Sequence, residues 1–99
     1  MKETLKTTNR AEDGNLSHKE VEGERITIAG HPCFIHFEKS GTTKFYTVTD
    51  LETGAKVCMK LTKNAATKTA EQNFKKNPAA ILQMKNFLIN KGVKMPVNI

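Results

Sequence analysis

Two histidines and two cysteines are the side chains with the widest chemistry in this sequence: His31, Cys33, His36 and Cys58. Imidazole nitrogens and thiolates are ligands that zinc prefers, and a cysteine beside a histidine can act as a nucleophile with its base. The spacing H-x-C-x-x-H with a distant cysteine matches none of the common zinc patterns, and neither cysteine lies in a recognised catalytic motif. We therefore predict no metal and no cofactor.

Other catalytic arrangements are also missing from the sequence. Glu38, Asp50 and Glu52 fall at predicted turns, where carboxylates usually face solvent. The six glycines are far apart, so they form no glycine-rich loop of the kind that cradles a phosphate. The sequence therefore predicts a protein that is not an enzyme.

The positive charge is concentrated in the C-terminal part of the chain. The net charge is +6, yet residues 1–23 carry four basic and five acidic side chains while residues 24–99 carry twelve basic and five acidic ones. A basic segment of this kind indicates a polyanionic partner such as DNA or RNA. The alternative is that the lysines form a solvated surface that keeps a small protein soluble.

The residues that we expect to contact nucleic acid combine an aromatic ring, a histidine and lysines: Phe34, His36, Lys56, Lys60, Lys63, Lys68, Lys75 and Lys76. An aromatic ring on an exposed sheet surface can stack on an unpaired base, and lysines neutralise phosphates. The alternative for Phe34 is that the N-terminal tail or a partner subunit covers it. Arg25 is the single arginine in residues 24–99, so this part lacks the bidentate side chains that favour base readout. Binding is therefore expected to be phosphate-driven and weakly sequence-selective.

Hydrophobic periodicity places these residues on a β-sheet followed by helical sequence. Strands are predicted over 25–29, 33–39, 44–50 and 55–62, and helices over 65–76 and 78–91. The junction at Asn77-Pro78 allows either two helices with a bend or a loop that leads into one helix. In the turn DLETG, Asp50 suits a side-chain bond to the backbone and Gly54 suits a left-handed conformation.

Alternation along each strand assigns its side chains to one face of the sheet or the other. Cys33 and Phe37 are predicted to point inward, whereas Phe34 and His36 point to solvent. Cys58 is predicted to point outward as well, which separates it from Cys33 and excludes a shared metal or a disulfide. The predicted core comprises Ile26, Ile28, Ile35, Phe37, Val48, Val57, Met59, Leu61, Ile81, Met84 and Leu88.

The first 23 residues are too polar to bury much surface, so we predict a disordered tail over 1–23 and one small domain over 24–99. The fold class is α+β: an antiparallel meander of three or four strands, packed on one face by a C-terminal amphipathic helix or two. No apolar run approaches the ~20 residues that span a bilayer, and the N-terminus does not read as a signal peptide. We therefore expect a cytoplasmic protein without membrane contact.

The stretch FYTVTDLETGAKVCMKLTKNAATKTAEQNF contains an aromatic strand, an acid, Thr-Gly, a second strand and an alanine-bearing helix. In this order it resembles the arm-binding N-terminal domain of tyrosine recombinases and small phage proteins with three strands and a helix. The resemblance covers about a third of the chain and implies DNA binding. The arginine-rich N-terminus usual in that family is absent from this sequence.

The leading hypothesis from the sequence is a small basic protein that binds DNA or RNA without catalysis. The alternative is a protein-interaction module, such as a small phage or mobile-element protein or a homodimer, with no nucleic-acid contact. An outward Phe34 and an open strand edge beside Pro32 would suit such a module.

Overall fold

The computed structural model describes residues 2–10 and 14–98, and it shows five strands followed by two helices. These elements are β1 (Glu3–Arg10), β2 (Leu16–Ile28), β3 (His31–Ser40), β4 (Thr43–Asp50), β5 (Lys56–Lys60), α1 (Lys63–Lys76) and α2 (Ala80–Asn90). The strands form one antiparallel sheet in the order β1-β2-β3-β4-β5. The predicted α+β class and both helices are confirmed, and the sheet has five strands instead of three or four.

The N-terminal segment is the largest departure from the sequence prediction. Residues 3–10 form β1 and residues 16–28 form β2, so most of the predicted disordered tail is strand. Positions 1 and 11–13 of that tail, like position 99, lie outside the described residues. The two strands pair over their whole shared length, from Glu3 opposite Gly23 to Arg10 opposite Leu16. Backbone pairing, which composition does not reveal, orders this polar segment.

The sheet curls until β1 meets the connection between β4 and β5. The Thr8 N–H donates to the Gly54 carbonyl oxygen at 2.7 Å. The Asn98 side-chain amide pairs with Lys6 as a further strand would, accepting from its N–H at 2.6 Å and donating to its carbonyl oxygen at 2.9 Å. Gly54 has φ 71° as predicted, and a Cβ there would lie 2.6 Å from Thr8 Oγ1. Glycine therefore permits both the turn and the close approach of β1.

Strand β2 changes partner at Gly23. It pairs with β1 up to that residue and with β3 from Gly23 opposite His36 to Ile28 opposite His31. A Cβ at Gly23 would lie 2.9 Å from the carbonyl oxygen of Ile35 and 3.2 Å from Phe34 Cδ2. The chain can bend here because no side chain intervenes.

Helix α1 packs on one side of the sheet, which we call the helix face, and the opposite side is the inner face. The buried stripe of α1 consists of Ala66, Ala70 and Phe74. These contact an apolar cluster on the sheet made by Ile28, Cys33, Ile35 and Val48. The helix begins with a cap, because Thr62 Oγ1 accepts from the Ala65 N–H at 3.1 Å. The predicted helix–sheet core is thus present.

Strand β5 has the opposite face assignment to the one predicted. Val48 is opposite Cys58 but Thr49 is opposite Lys56, so a β-bulge adds Val57 to β5. Cys58 consequently shares the helix face with Val48, and its Sγ donates to the Ala66 carbonyl oxygen at 3.1 Å. The prediction that Cys58 points outward is wrong.

Four predicted core residues are exposed: Phe37, Met59, Leu61 and Met84. The other seven are buried or half-buried. Leu88 is the one fully buried residue of α2, so this helix is attached less closely than α1. Neither helix in the described ranges has the length and apolar content that crossing a bilayer requires.

Candidate nucleic-acid interface

Phe34 and His36, the two sheet residues predicted to face a nucleic acid, are buried. Phe34 is 0 % exposed and His36 is 3 % exposed. Leu5 of β1 lies on the same inner face, because it is opposite Val21, and Val21 shares a face with Gly23, which is opposite His36. Leu5 is buried as well. The curl of the N-terminal strands therefore covers the face that the sequence assigned to solvent. Phe34 has no surface on which a base could stack, and that prediction is corrected.

The inner face is a mixed polar and apolar core. His36 Nε2 lies 2.6 Å from Glu38 Oε1, while His36 Nδ1 has no partner among the described residues. The hydroxyls of Thr47 and Thr49, on the neighbouring strand, are also buried without a partner in the described part of the chain. His36 thus belongs largely to the interior, with 3 % of the residue exposed.

The six predicted lysines are all exposed, but they lie in three separate places. Lys60 ends β5, and Lys63 begins α1 nearby. Lys68 and Lys75 are seven residues apart on α1, so they lie on one stripe, away from its buried residues. Lys56 and Lys76 both line a crevice of about 320 Å³ between β5 and α2.

Two of these lysines are engaged by acids. Lys63 Nζ lies 3.3 Å from Glu24 Oε2, and Lys75 Nζ lies 2.8 Å from Glu71 Oε1. Each lysine, through its hydrogen bond and its charge, lowers the pKa of its partner glutamate. Within the described residues the remaining four, Lys56, Lys60, Lys68 and Lys76, form no ion pair. These four are therefore the cations available to an external anion.

An aromatic pair, the exposed Phe37 and the half-buried Tyr46, lies on the helix face, and Phe37 is a residue that the sequence predicted to be in the core. Phe37 is 48 % exposed, and its ring centroid is 5.5 Å from that of Tyr46 at an interplanar angle of 63°. Phe37 is opposite Tyr46 in the register and Tyr46 is opposite Lys60, so the three side chains form a row on the helix face. An aromatic pair beside an unpaired lysine is a better candidate for base contact than the buried Phe34.

The next row of the same face contains two lysines. Lys39 and Lys44 are directly opposite each other near the end of the β3–β4 hairpin, and both are exposed. Like charges in this position repel. Because alternation places them on the face of Phe37 and Tyr46, the aromatic pair has lysines on two sides.

The position of α1 explains why this end of the helix face is open. Lys63 reaches Glu24 at the start of α1, and Phe74 stacks on His31 near its end with ring centroids 4.4 Å apart. The helix thus runs away from the row that contains Phe37. Residues 61 and 62 alone join β5 to α1. Because this connection is so short, α1 must begin beside Lys60. The short connection was the one feature of the sequence that could have indicated that α1 leaves Phe37 and Tyr46 uncovered.

A groove of about 840 Å³ opens beside the aromatic pair, where the part of β2 before Gly23 diverges from β3. Its lining includes Phe37, Tyr46, Lys39 and Lys63. The groove also contains acids, so its charge is mixed. Among these acids, Glu38 forms a hydrogen bond with His36, and Glu24 accepts one from Lys63.

The cysteines and histidines do not form a metal site in the described part of the chain. There, no three side chains of His, Cys, Asp or Glu are arranged to hold a metal ion. Cys33 and Cys58 are free thiols that share the helix face but lie on strands separated by β4. Burial, then the nearby Asp50 carboxylate, raises the pKa of Cys33 to about 12, which makes it a poor nucleophile.

In comparisons with known proteins, no protein-family model, no curated protein and no solved structure matches this chain.

Proposed function

We propose that this protein binds nucleic acid without catalysis, through phosphate contacts of the lysines in residues 56–76. The supporting observation is that Lys56, Lys60, Lys68 and Lys76 are exposed and form no ion pair within the described residues. An exposed lysine without an acid partner can bind a phosphate without first breaking an ion pair. The segment 56–76 carries six lysines and one acid, Glu71.

Binding of this kind depends on salt. Each neutralised phosphate releases counterions, so the affinity falls steeply as the salt concentration rises. Few arginines are available for bidentate base contacts, so the same lysines should bind many sequences with similar affinity. The proposed role is therefore that of a non-specific or weakly selective binder.

A charge-neutralised variant tests the proposal. The triple variant Lys60→Gln, Lys68→Gln and Lys76→Gln should lose affinity for labelled oligonucleotides, and the slope of log affinity against log salt should fall by about two to three. The control, Lys6→Gln, Lys91→Gln and Lys94→Gln, removes the same charge outside residues 56–76. Equal losses in both variants would show that net charge alone drives binding. No binding of the unaltered protein at about 50 mM salt would refute the proposal.

A second candidate function is self-association through α2. Two apolar side chains of this helix, Leu82 and Ile89, are seven residues apart and so share one stripe, and they are 60 % and 48 % exposed. Apolar helix surfaces of this kind commonly pack against another chain. A homodimer held in this way should be insensitive to salt and should dissociate in Leu82→Glu, which light scattering after size exclusion would measure.

A further inference from the structure

We propose that the open end of the helix face binds an unpaired strand of nucleic acid, with one base stacked on Phe37. This surface, which we call the aromatic–lysine face, consists of Phe37, Lys39, Lys44, Tyr46 and Lys60. The inference rests on the nucleic-acid binding proposed above and specifies the form of nucleic acid that is bound. It also replaces Phe34, which is buried, with the aromatic residue that is available.

The geometry of Phe37 leaves room for a base. Its ring meets that of Tyr46 at 63°, so the two rings contact edge to face and not face to face. In an edge-to-face pair at least one face of Phe37 is free of Tyr46. Phe37 is also 48 % exposed, so about half of the residue is open to solvent. A base has a flat π surface that can stack there whatever its sequence.

Charge favours a phosphate backbone around this ring. Lys39 and Lys44 are cross-strand partners and repel each other, and neither forms an ion pair within the described residues. An anion bound between them would remove that repulsion. Lys60 lies on the other side of Tyr46, two strands from Phe37 and so about 10 Å away. The phosphate on one side of a stacked base would therefore lie near Lys39 and Lys44, and the phosphate on the other side near Lys60.

The same geometry disfavours a duplex. In a duplex the flat faces of the bases are stacked on one another and cannot reach a protein ring, whereas an unpaired strand can present them. An acidic peptide, another partner for lysines, does not carry a flat ring beside each charged group as a nucleic acid does. The aromatic–lysine face is thus best matched to a single strand.

Tyr46 allows a direct test, because the chain has one tyrosine and no tryptophan. Titration with a single-stranded oligothymidylate should quench the emission of Tyr46 as a base stacks beside it. The oligothymidylate should bind more tightly than a duplex of equal length. Phe37→Leu keeps an apolar side chain but removes the ring, and it should weaken single-strand binding by about tenfold.

The matched control is Phe45→Leu, because Phe45 neighbours Tyr46 in β4 and points to the opposite face. It should leave the affinity unchanged, and thermal melts monitored by circular dichroism should show both variants folded. An equal loss in Phe45→Leu would overturn the inference, and so would an unaltered affinity in Phe37→Leu. If Phe37→Leu has no effect while the lysine variant loses affinity, the proposed function stands and the stacking site is wrong. Absence of binding by the unaltered protein would overturn both.

Discussion

The helix face and the inner face of the sheet are both buried, but they are covered in different ways and have different chemistry. On the helix face, α1 covers apolar side chains, and Cys33 and Val48 are fully buried there. On the inner face, the curl of the sheet itself covers Phe34 together with polar residues. Two of these, Thr47 and Thr49, have hydroxyls with no partner in the described residues. The first face is an ordinary apolar core, and the second is a small core that mixes polar and apolar groups.

This difference shows that strand alternation separates two sets of side chains but does not say which set is covered. Coverage depends on the rest of the chain. At Phe34 the cover comes from residues that composition assigned to a disordered tail. Phe37 belongs to the set of side chains on the helix face. It is left uncovered because α1 starts beside Lys60 and runs away from the row that contains Phe37. The aromatic residue at the surface is therefore the one that the pattern placed in the core.

The largest expected effect in this comparison is that of truncating Phe34. Phe34→Ala should lower the free energy of unfolding by about 3–5 kcal/mol, because it removes a large side chain from the inner core. Phe37→Ala should lower it by about 1 kcal/mol, because Phe37 is 48 % exposed and loses mainly its edge-to-face contact with Tyr46. Urea denaturation followed by circular dichroism measures both. Similar small losses in the two variants would mean that the inner face is solvated, as alternation had suggested.

Local patterns were sufficient for the elements whose contacts are close in sequence. β3, β4, β5, α1 and α2 follow from alternation, the turn at Asp50 and the helical spacing of apolar residues. The turn also has the predicted chemistry, since Asp50 Oδ2 accepts from the Thr53 N–H at 2.9 Å. These features depend on neighbours within a few residues and can be read from one sequence.

The features that were missed depend on contacts between distant residues. Strand β1 is held at its outer edge by Gly54 and Asn98, and the Lys6–Asn98 pair is separated by 92 positions. The polar side chains of β1 give no sign of these backbone bonds. The bulge at Val57 likewise inverts the faces of β5 through a single added residue. Of the candidate surface, Lys60 was among the residues predicted from the sequence, whereas Lys39 and Lys44 were not. The exposure of Phe37 could not be predicted, because it follows from where α1 begins.

An intermediate effect on the free energy of unfolding is expected from pH. It tests how completely water is excluded from the helix face. The ordinary pKa of a cysteine thiol is 9.0, and in the folded protein burial raises that of Cys33 to about 12. Between these values the unfolded chain releases a proton that the folded chain retains. The stabilisation is therefore complete below about pH 9 and is lost as the pH rises toward 12, by up to about 1.4 kcal/mol per pH unit.

Urea denaturation at pH 8 and at pH 10 measures this dependence, with Cys33→Ala as the variant that lacks the thiol. The unaltered protein should lose more stability between the two pH values than the variant does. Equal losses would show that water reaches the thiolate of Cys33, and the helix face would then be no drier than the inner face. Cys58 is half-buried, and burial raises its pKa as well, so it is kept in both proteins.

The smallest expected effect concerns the polar groups of the inner face. Thr49 is 1 % exposed and its Oγ1 has no partner in the described part of the chain, so Thr49→Val should raise the free energy of unfolding by about 1 kcal/mol. Thr43→Val, at an exposed position of the same strand, is the control and should be near neutral. A loss of stability in Thr49→Val would indicate that a bound water satisfies the hydroxyl. The inner face would then be a hydrated core. It would differ from the helix face in its bound water as well as in its side chains.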